Sequence, residues 1–326
     1  MAFNNGNMEL KQHKNPLVIY HGNCADGFSA AWVFHNAQDA LETEFDFHAG
    51  VYNDPPPDVT DRVVYLVDFS YRRTVVLEML DKAKHIYLID HHKTAIEDLL
   101  GALEGEINSI ALHKNFTAYT DLERSGAMLA WDFIYWTKCM SEEYYAAGEP
   151  YPDRTNEYYI MPPKLLEHIQ DRDLWKFKLP LTREIQAAVF SFEYTFENWD
   201  KLMAAKQDEL LILSAGGAAI ERKHHKDIKE MVSVCRRYLS IGSYYVPVAS
   251  LPYIYSSDAG HLMAKEHENG TMFAACYWDT SDHRIFSLRS CDHGVDVSEV
   301  AKQYGGGGHR NAAGFRVPRD HILALY

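Results

Sequence analysis

The stretch Ile86–His92 constrains the fold most, because an apolar, largely β-branched run ends abruptly in Asp90, His91 and His92. Such a run is typical of a strand that is buried on both faces of a parallel sheet. Ligands of such sheets bind just outside the carboxyl ends of the strands. The stretch therefore predicts three side chains capable of binding a metal at that edge. The alternative is a polar strand exit in which Asp90 caps the helix that follows.

Two earlier apolar runs end in the same way. Leu17–Tyr20 is followed by His21 and, after a short loop, by Asp26, while Arg62–Val67 is followed directly by Asp68. A segment with helical character comes after each run, and this alternation predicts a parallel sheet with right-handed crossovers. Because the carboxyl ends of parallel strands lie at one edge, we expect these polar ends to meet there.

Carboxylates and imidazoles together form the predicted metal-binding set, whose members are His21, Asp26, Asp68, Asp90, His91 and Asp171. Mixed donors of this kind suit Mn²⁺, Fe²⁺ or Zn²⁺ better than Mg²⁺. Two divalent ions bridged by one carboxylate would hold the attacking and leaving oxygens of a phosphoryl transfer. Asp68 follows the middle strand and is the predicted bridge, its alternative role being a helix N-cap. Asp171 is preferred to Asp173 because it comes first after the helical segment 164–170.

A glycine run near the end of the chain, Gly305–Gly308, directly precedes a histidine and an arginine. Successive glycines predict a loop whose N–H groups face an anion, although a merely flexible loop is the alternative. Arg289 ends a predicted strand and is suited to a bidentate clamp on phosphate. The predicted substrate-binding residues are Arg289, Gly306, Gly307, Gly308, His309 and Arg310.

Three regions are predicted along the chain: a parallel-sheet α/β catalytic domain over residues 1–195, a helical connector over 196–238 and a smaller α+β domain over 239–326. The connector is read as two amphipathic helices broken near Gly216 and Gly217, and the alternative is that these helices complete the first domain. The second domain is indicated by successive strand-like runs, of which Val246–Leu251 is the first.

The composition limits the binding partners and the cellular location that we expect for the chain. A formal net charge of −14 argues against binding to long nucleic acid, but it leaves room for a small anionic substrate in a local cationic pocket. Five scattered cysteines without a Cys-x-x-Cys pair argue against a zinc knuckle and suit a reducing cytoplasm. We do not expect the polar N-terminal stretch to act as a signal peptide, and no apolar run approaches the roughly 20 residues that span a bilayer. We expect a cytoplasmic protein without a membrane partner.

These motifs resemble those of the DHH phosphoesterase superfamily, in the branch with a DHH-associated C-terminal domain, which includes nano-RNases, RecJ-type exonucleases and hydrolases of cyclic dinucleotides. The matching stretches are His21–Gly27, Val67-Asp68, Ile89–His92, Asp171 and Gly305–Phe315. Asp-His-His alone is weakly specific, but its combination with the glycine-rich motif is highly specific. One departure concerns the first motif, which usually has two aspartates after the histidine.

Only Asp26 is present in this first motif, so either Asn23 or Cys24 substitutes for the second aspartate or one metal is held more weakly. The resemblance implies a site for two divalent ions, usually Mn²⁺, with Mg²⁺ or Co²⁺ as alternatives. It implies that the metal ligands are His21, Asp26, Asp68, His91 and Asp171.

Roles for the remaining residues also come from the resemblance. Asp90 would orient a ligand, and His92 would contact the scissile phosphate or help the leaving group. Arg289 and His309 would hold the phosphates of the substrate. With Asp68, Asp90 and His92 as the catalytic residues, the implied activity is a phosphodiesterase in which a metal-activated hydroxide attacks phosphorus.

The implied substrates are short single-stranded oligonucleotides or small cyclic or linear dinucleotides, which would be cut to nucleoside monophosphates. The acidic net charge favours such substrates over long duplex DNA. Two other functions stay open: an exopolyphosphatase or pyrophosphatase, and a nucleotide-binding sensor whose metal centre has decayed. A monomer and a homodimer are both compatible with the sequence.

Overall fold

The computed structural model describes residues 14–52, 54–101, 110, 113–136, 159–267 and 272–325. Its first part contains a sheet with five described strands: β1 (Leu17–His21), β2 (Asp46–Gly50), β3 (Val63–Val67), β4 (His85–Asp90) and β5 (Phe116–Thr120). All of these strands run parallel, in the order β2-β1-β3-β4-β5. The predicted α/β fold with a parallel sheet is confirmed.

Helices cover both faces of this sheet. In chain order they are α1 (Ala25–Leu41), α2 (Arg73–Leu80), α3 (Lys93–Leu100), α4 (Gly126–Trp131), α5 (Lys164–Asp173), α6 (Thr182–Val189) and α7 (Phe196–Met203), and α4 continues as a π-helical turn, Asp132–Trp136. Successive side chains of a strand point to opposite faces, so Val18 packs with α1, α4, α5, α6 and α7 while Ile19 packs with α2 and α3.

The chain reverses its direction of travel across the sheet between β1 and β3. From β1 the chain adds β2 on one side, and it then returns to place β3 and β4 on the other side. At such a switch point the loops at the carboxyl ends of neighbouring strands diverge and leave a crevice that can hold a ligand. Here the crevice is bordered by the ends of β1, β3 and β4, which carry the polar motifs.

The second part of the chain is a mixed sheet with six described strands: β6 (Arg237–Ile241), β7 (Tyr244–Ser250), β8 (Phe273–Asp279), β9 (His283–Ser290), β10 (Gly307–His309) and β11 (Ala312–Pro318). The order is β10-β11-β9-β8-β7-β6, and β7 pairs with β8 in parallel while the other described pairs are antiparallel. Two further helices, α9 (Ser256–Glu266) and α10 (Val297–Lys302), pack on its two faces. The predicted smaller α+β domain is confirmed.

A single helix, α8 (Gln207–Cys235), runs unbroken for 29 residues between the two sheets. The predicted break near Gly216 and Gly217 is wrong, because Gly217 serves a contact between helices. A Cβ atom built at Gly217 would lie 1.7 Å from the carbonyl oxygen of Glu184 in α6. Because glycine has no Cβ, α8 can approach α6 closely at this point. Gly217 therefore permits a helix–helix contact and does not end a helix.

The helix that precedes α8 also changes the predicted connector. Trp199 of α7 is fully buried in the first core, and its indole N–H donates a hydrogen bond of 2.8 Å to the hydroxyl of Ser29. Helix α7 is thus part of the first packing unit, so a connector beginning at residue 196 begins too early. In the described part of the chain, no helix combines the length and apolar character that a membrane span needs.

The contact at Gly217 can be tested by adding a single methyl group. We expect Gly217→Ala to lower the free energy of unfolding by about 1–3 kcal/mol, because the new Cβ overpacks the α6–α8 contact. Gly216→Ala is the matched control, since a Cβ there meets nothing within 4 Å. It should stabilise the helix by up to about 1 kcal/mol. Urea unfolding of both variants measures the difference, and equal shifts would contradict this role of Gly217.

Candidate metal centre

Asp68 lies at the centre of the cluster formed by the strand ends. Its Oδ1 is 3.1 Å from Nε2 of His91 and 3.8 Å from Nδ1 of His92, and its Oδ2 is 3.6 Å from Nδ1 of His21. The residue has a φ of 52°, in the left-handed region, and its N–H donates to the carbonyl of Ile89 at 2.9 Å. This unusual backbone aims the carboxylate across the ends of all three strands.

Two glycines make room for the carboxylates of the cluster. A Cβ at Gly126, the first residue of α4, would lie 2.3 Å from the Cβ of Asp68. A Cβ at Gly27 would lie 2.4 Å from the carbonyl oxygen of His21, so glycine lets α1 start directly against the end of β1. This start brings in Asp26, whose two carboxylate oxygens each accept from the N–H of Ala127 at 3.3 Å.

Among the residues that the structure describes, three sets of side chains have their ligand atoms within 4.8 Å of one another: His21, Asp68 and His92; Asp26, Asp68 and His91; and His91, His92 and His309. Asp68 is shared by the first two sets, as the predicted bridging carboxylate would be. The predicted ligands His21, Asp26, Asp68 and His91 are thus brought together. Their mixture of carboxylate and imidazole donors fits a divalent transition metal.

Asp173, and not Asp171, is the acid of α5 that lies in the cluster. Its Oδ2 is 3.5 Å from Nε2 of His91. Asp171 instead accepts hydrogen bonds from the N–H groups of Lys178 at 2.8 Å and Leu179 at 3.0 Å, and from the hydroxyl of Thr182 at 2.7 Å. Two positions along a helix are about 200° apart around its axis, so the two acids point in opposite directions. The preference for Asp171 is corrected accordingly.

The carboxylates of the cluster repel one another. Burial, together with the charges of Asp173 and Asp68, raises the pKa of Asp26 well above its usual value. Burial also raises the pKa of Asp173, although His91 opposes the change. Burial alone would raise the pKa of Asp68, but hydrogen bonds from His21 and His91 lower it. Such a cluster either holds protons or gains from a bound cation.

The histidines respond to the same field. Burial opposes the charged form of His91, but its hydrogen bond to Asp68 and the charges of Asp173 and Asp68 raise its pKa to about 10. Its other ring nitrogen, Nδ1, is buried without a hydrogen-bond partner, as is Oδ2 of Asp90. Unpaired buried polar atoms are costly in proteins, so their presence marks this cluster as unfinished by protein groups alone.

Asp90 holds the third residue of the Asp-His-His motif. Its Oδ1 lies 2.7 Å from Nδ1 of His92 and accepts from the N–H groups of His91 at 2.7 Å and His92 at 3.1 Å. The imidazole of His92 is thereby fixed with its other nitrogen free to face a ligand. The side chain of Asp90 thus contacts His92, which is itself the N-cap residue of α3.

The second domain contributes His309 to the same place. Its ring stacks on that of His92, with centroids 4.5 Å apart and planes 24° apart, and lies 4.7 Å from that of His91. Burial, with the charges of His92 and His91, lowers the pKa of His309 well below its usual value. The imidazole of His309 is therefore neutral at pH 7 and offers one N–H donor.

The second half of the glycine run, Gly307 and Gly308, belongs to strand β10, so the run is not the open loop that the sequence predicted. Gly305 and Gly306 donate their N–H groups to carbonyls at the end of α10, both at 2.9 Å, and Gly308 donates to Oγ1 of Thr94 at 2.9 Å. Three of the four amides are therefore already used within the protein. Arg72 also bonds to the carbonyl of Gly305.

Close packing explains the composition of this run. A Cβ at Gly306 would lie 2.0 Å from the carbonyl oxygen of Gly314 in β11, and one at Gly307 would lie 2.6 Å from Oγ1 of Thr94 in α3. Gly308 has a φ of 140°, which side chains rarely adopt. The glycines let β10 fit between its partner strand and α3, and this fit places His309 over the Asp-His-His motif.

The two predicted arginines differ in their surroundings. Arg289 is held at the end of β9 by hydrogen bonds to the hydroxyls of Ser257 at 2.7 Å and Ser287 at 3.0 Å, and burial lowers its pKa to about 10. Its charge also acts on His309. Arg310 is half exposed and bonds to the carbonyl of Gly294 at 3.0 Å. Arg289 is thus the desolvated cation near the cluster, while Arg310 serves its own loop.

Sequence reasoning missed Tyr52 and left the role of Cys24 open. The ring of Tyr52 lies 5.3 Å from that of His21, although 43% of the residue is exposed. Tyr52 comes two residues after β2, so the rule that located His21 at a strand end would also have found it. Burial raises the pKa of the Cys24 thiol, and His21 opposes the change.

No profile of a known protein family matches the chain. An uncharacterised protein of Acanthamoeba polyphaga mimivirus is 27% identical over 318 residues, which cover 91% of this chain and 66% of the viral protein. The chain thus spans slightly less than two thirds of that relative's length.

Among solved structures, the DHH domain of a member of a ribosomal protein family aligns with a TM-score of 0.52 at 14% identity, over 93% of this chain and 83% of that one. The chain has the DHH fold. RecJ from Thermus thermophilus in complex with Mn²⁺ aligns with a TM-score of 0.45 at 12% identity, over 92% of this chain and 49% of that one. The pGpG-specific phosphodiesterase PggH from Vibrio cholerae aligns with a TM-score of 0.40 at 17% identity, over 96% of both chains.

Within this DHH fold, the two acids of α5 should respond differently to neutralisation. We expect Asp173→Asn to weaken Mn²⁺ binding by about 10-fold or more. Removing a group that only supports a metal ligand already has an effect of this size. It should leave the metal-free protein as stable or more stable, because one of the repelling carboxylates is gone. Calorimetric titration with Mn²⁺ and thermal unfolding of the metal-free protein measure the two effects.

Asp171→Asn is the matched comparison. It weakens three hydrogen bonds to a charged acceptor, each worth about 1.5–3 kcal/mol, and should lower the melting temperature while Mn²⁺ affinity stays the same. The reverse pattern, with metal binding lost in Asp171→Asn and kept in Asp173→Asn, would restore Asp171 as the ligand.

Proposed function

We propose that the chain is a metal-dependent phosphodiesterase that hydrolyses short single-stranded oligonucleotides or small dinucleotides to nucleoside monophosphates. The proposal depends above all on one observation. Asp68 belongs to two sets of acids and histidines that gather at the ends of three parallel strands. His309 of the second domain stacks directly on His92 of this cluster. A cation-binding cluster that faces donors for an anion is what hydrolysis of a phosphodiester requires.

Two divalent ions fit the donors present, with Mn²⁺ as the first choice. The residues that would hold them are His21, Asp26, Asp68, His91 and Asp173. When bound, such ions supply a Lewis acid for the phosphoryl oxygens and lower the pKa of water enough to give a nucleophile at neutral pH.

The side chains around the ions then have separate tasks. Asp90 fixes His92 so that its free ring nitrogen faces the scissile phosphate. The neutral ring of His309 donates a hydrogen bond to the phosphate, and Arg289 contributes a partly buried cation. Hydrogen bonds and charges prepared in this way stabilise developing negative charge without having to reorganise.

The link between the two domains favours a short substrate. Beside the cluster, Nζ of Lys93 lies 2.8 Å from a carboxylate oxygen of Asp296, and Lys302 forms an ion pair with Glu97. These ion pairs join α3 to α10 directly beside His92. A net charge of −14 also disfavours a long duplex more than it disfavours a dinucleotide or a strand end.

The reducing cytoplasm remains the expected setting of this activity. Cys24, Cys235, Cys276 and Cys291 are all free thiols in the structure. Cytoplasmic glutathione and thioredoxin would keep them so.

Hydrolysis of a synthetic dinucleotide in Mn²⁺ tests the proposed activity. We expect nucleoside monophosphates as products, and we expect Asp68→Asn to lower kcat by about 10²-fold or more, the loss typical of removing one group that stabilises transition-state charge. Asp320→Asn is the control, because this exposed acid follows the far end of β11. Unchanged turnover in Asp68→Asn would rule out the mechanism.

The same assay separates the two alternatives. Phosphate release from polyphosphate or pyrophosphate, without cleavage of dinucleotides, would indicate a polyphosphatase. Tight dinucleotide binding in calorimetry without turnover in Mn²⁺ would instead indicate a sensor. Dinucleotides with and without a 5′-phosphate, and a cyclic dinucleotide, then define the preferred substrate.

A further inference from the structure

The first turn of α9 carries an acid that meets three other helices. Oδ2 of Asp258 lies 3.3 Å from Nη2 of Arg172 in α5, and Oδ1 lies 3.3 Å from Nη1 of Arg183 in α6. Nε2 of His224 in α8 lies 3.1 Å from the same carboxylate. The side chain of Asp258 is only 8% exposed, so these contacts lie largely out of water. Helices α5, α6 and α8 are therefore joined to α9 at a single carboxylate.

Aromatic rings beside the two arginines add to this junction. The guanidinium carbon of Arg183 lies 3.6 Å from the ring centroid of Phe177, and that of Arg172 lies 4.9 Å from the ring centroid of Trp175. The indole of Trp175 stacks on the ring of His261 in α9, with centroids 4.0 Å apart and planes 11° apart. Cations are attracted to aromatic faces, and packed rings have preferred geometries. The end of α5 and the first turns of α9 are thus held in one relative position.

The same part of α9 also holds Arg289. Nη2 of Arg289 donates to the hydroxyl of Ser257 at 2.7 Å, and a Cβ built at Gly260 would lie 2.8 Å from Cγ of Arg289. Nη1 bonds instead within β9, to the hydroxyl of Ser287 at 3.0 Å and the carbonyl of Leu288 at 2.8 Å. The direction of the guanidinium therefore depends on α9 as well as on its own strand.

Two pairs of adjacent residues connect the metal centre with this arginine. Asp173, which lies in the cluster, directly follows Arg172 in α5. Ser257, which accepts from Arg289, directly precedes Asp258 in α9. The ion pair between Arg172 and Asp258 joins the two pairs. A shift of Asp258 against α5 would therefore move Arg289 relative to the cluster.

We propose that Asp258 is a positioning residue, which sets the place of Arg289 relative to the metal centre so that the guanidinium meets a phosphate of the substrate. The carboxylate acts through Arg289 and does not itself touch the substrate. Small displacements matter at such a site, because catalysis depends on the geometry in which the reacting groups are held. This inference rests on the proposed function, in which Arg289 binds a phosphate.

Steady-state hydrolysis of a synthetic dinucleotide in Mn²⁺ by the full chain tests this role. We expect Asp258→Asn to lower kcat/KM by about 10²-fold, as a displacement of about 1 Å can do. Mn²⁺ affinity in calorimetry should stay the same, because the partners of Asp258 are two arginines and a histidine outside the metal centre.

Asp279→Asn is the matched control in the second domain. Asp279 also forms ion pairs with two arginines, Arg284 and Arg319, but it ends β8 next to the turn into β9, whereas Arg289 lies at the far end of β9. Its replacement should lower the melting temperature and leave kcat/KM unchanged. A general loss of stability in the second domain is thereby separated from a displacement of Arg289.

Arg289→Lys shows whether Asp258 acts through Arg289. Lysine keeps a positive charge but lacks the planar fork that Ser257 orients. Because residues that act through each other are not additive, Asp258→Asn should have no further effect on kcat/KM in the Arg289→Lys background. Arg183→Gln repeats the comparison in a variant in which Asp258 keeps its other two partners, so the test does not require Asp258→Asn to fold.

The outcomes separate this role from the proposed function. Equal losses of kcat/KM in the wild-type and Arg289→Lys backgrounds, no loss in the wild type, or a fall in Mn²⁺ affinity would each overturn the positioning role and leave the proposed function standing. Absence of dinucleotide turnover by the wild type removes the proposed function, and the positioning role falls with it. A loss confined to the background with Arg289, at unchanged Mn²⁺ affinity, supports the role.

Discussion

Repulsion between buried carboxylates at the carboxyl edge of a parallel sheet is the constraint on which this structure depends. Parallel strands deliver their ends to one place, and here those ends carry Asp68 beside acids from α1 and α5. Bringing like charges out of water is unfavourable unless cations or hydrogen bonds balance them. His21 and His91 provide part of that balance. The remaining negative charge of the carboxylates is not balanced by protein groups, so the cluster resembles a cation-binding site more than a stabilising ion-pair network.

The small residues around the cluster follow from the same demand. Gly27 and Gly126 stand where a Cβ would collide with His21 and Asp68, so the two helices begin closer to the strand ends than any other residue would allow. The left-handed backbone conformation of Asp68 is also energetically unfavourable, and it places the carboxylate among its partners. Stability is thus given up at several points to hold one carboxylate where it can be shared.

Sequence reasoning succeeded where the signal was local and failed where a distant contact decided the outcome. The strand endings were recognisable because an apolar run and its polar exit are contiguous, and parallel pairing does the rest. The glycine run was misread because its partner, Thr94, lies more than 200 residues away in the chain. Gly217 was misread for the same kind of reason, since its contact is with α6. Asp171 and Asp173 differ only in their direction around a helix end, and the amides that take up Asp171 belong to a loop whose course no pattern shows.

Helix α3 explains how His309 of the second domain is aligned with the acids and histidines at the strand ends. It starts at the Asp-His-His motif, and its first residues, Lys93 and Thr94, contact α10 and the glycine strand of the second domain. The first turn of α3 therefore positions both histidines. His92 directly precedes this turn, and Thr94 within it holds Gly308, the residue before His309. The long helix α8 joins the domains in sequence, but its contacts with α6 and α9 lie away from this turn. Packing at α3 therefore aligns His309 with His92, and the ion pairs of Arg172 and Arg183 with Asp258 of α9 join the two parts of the chain at a second place.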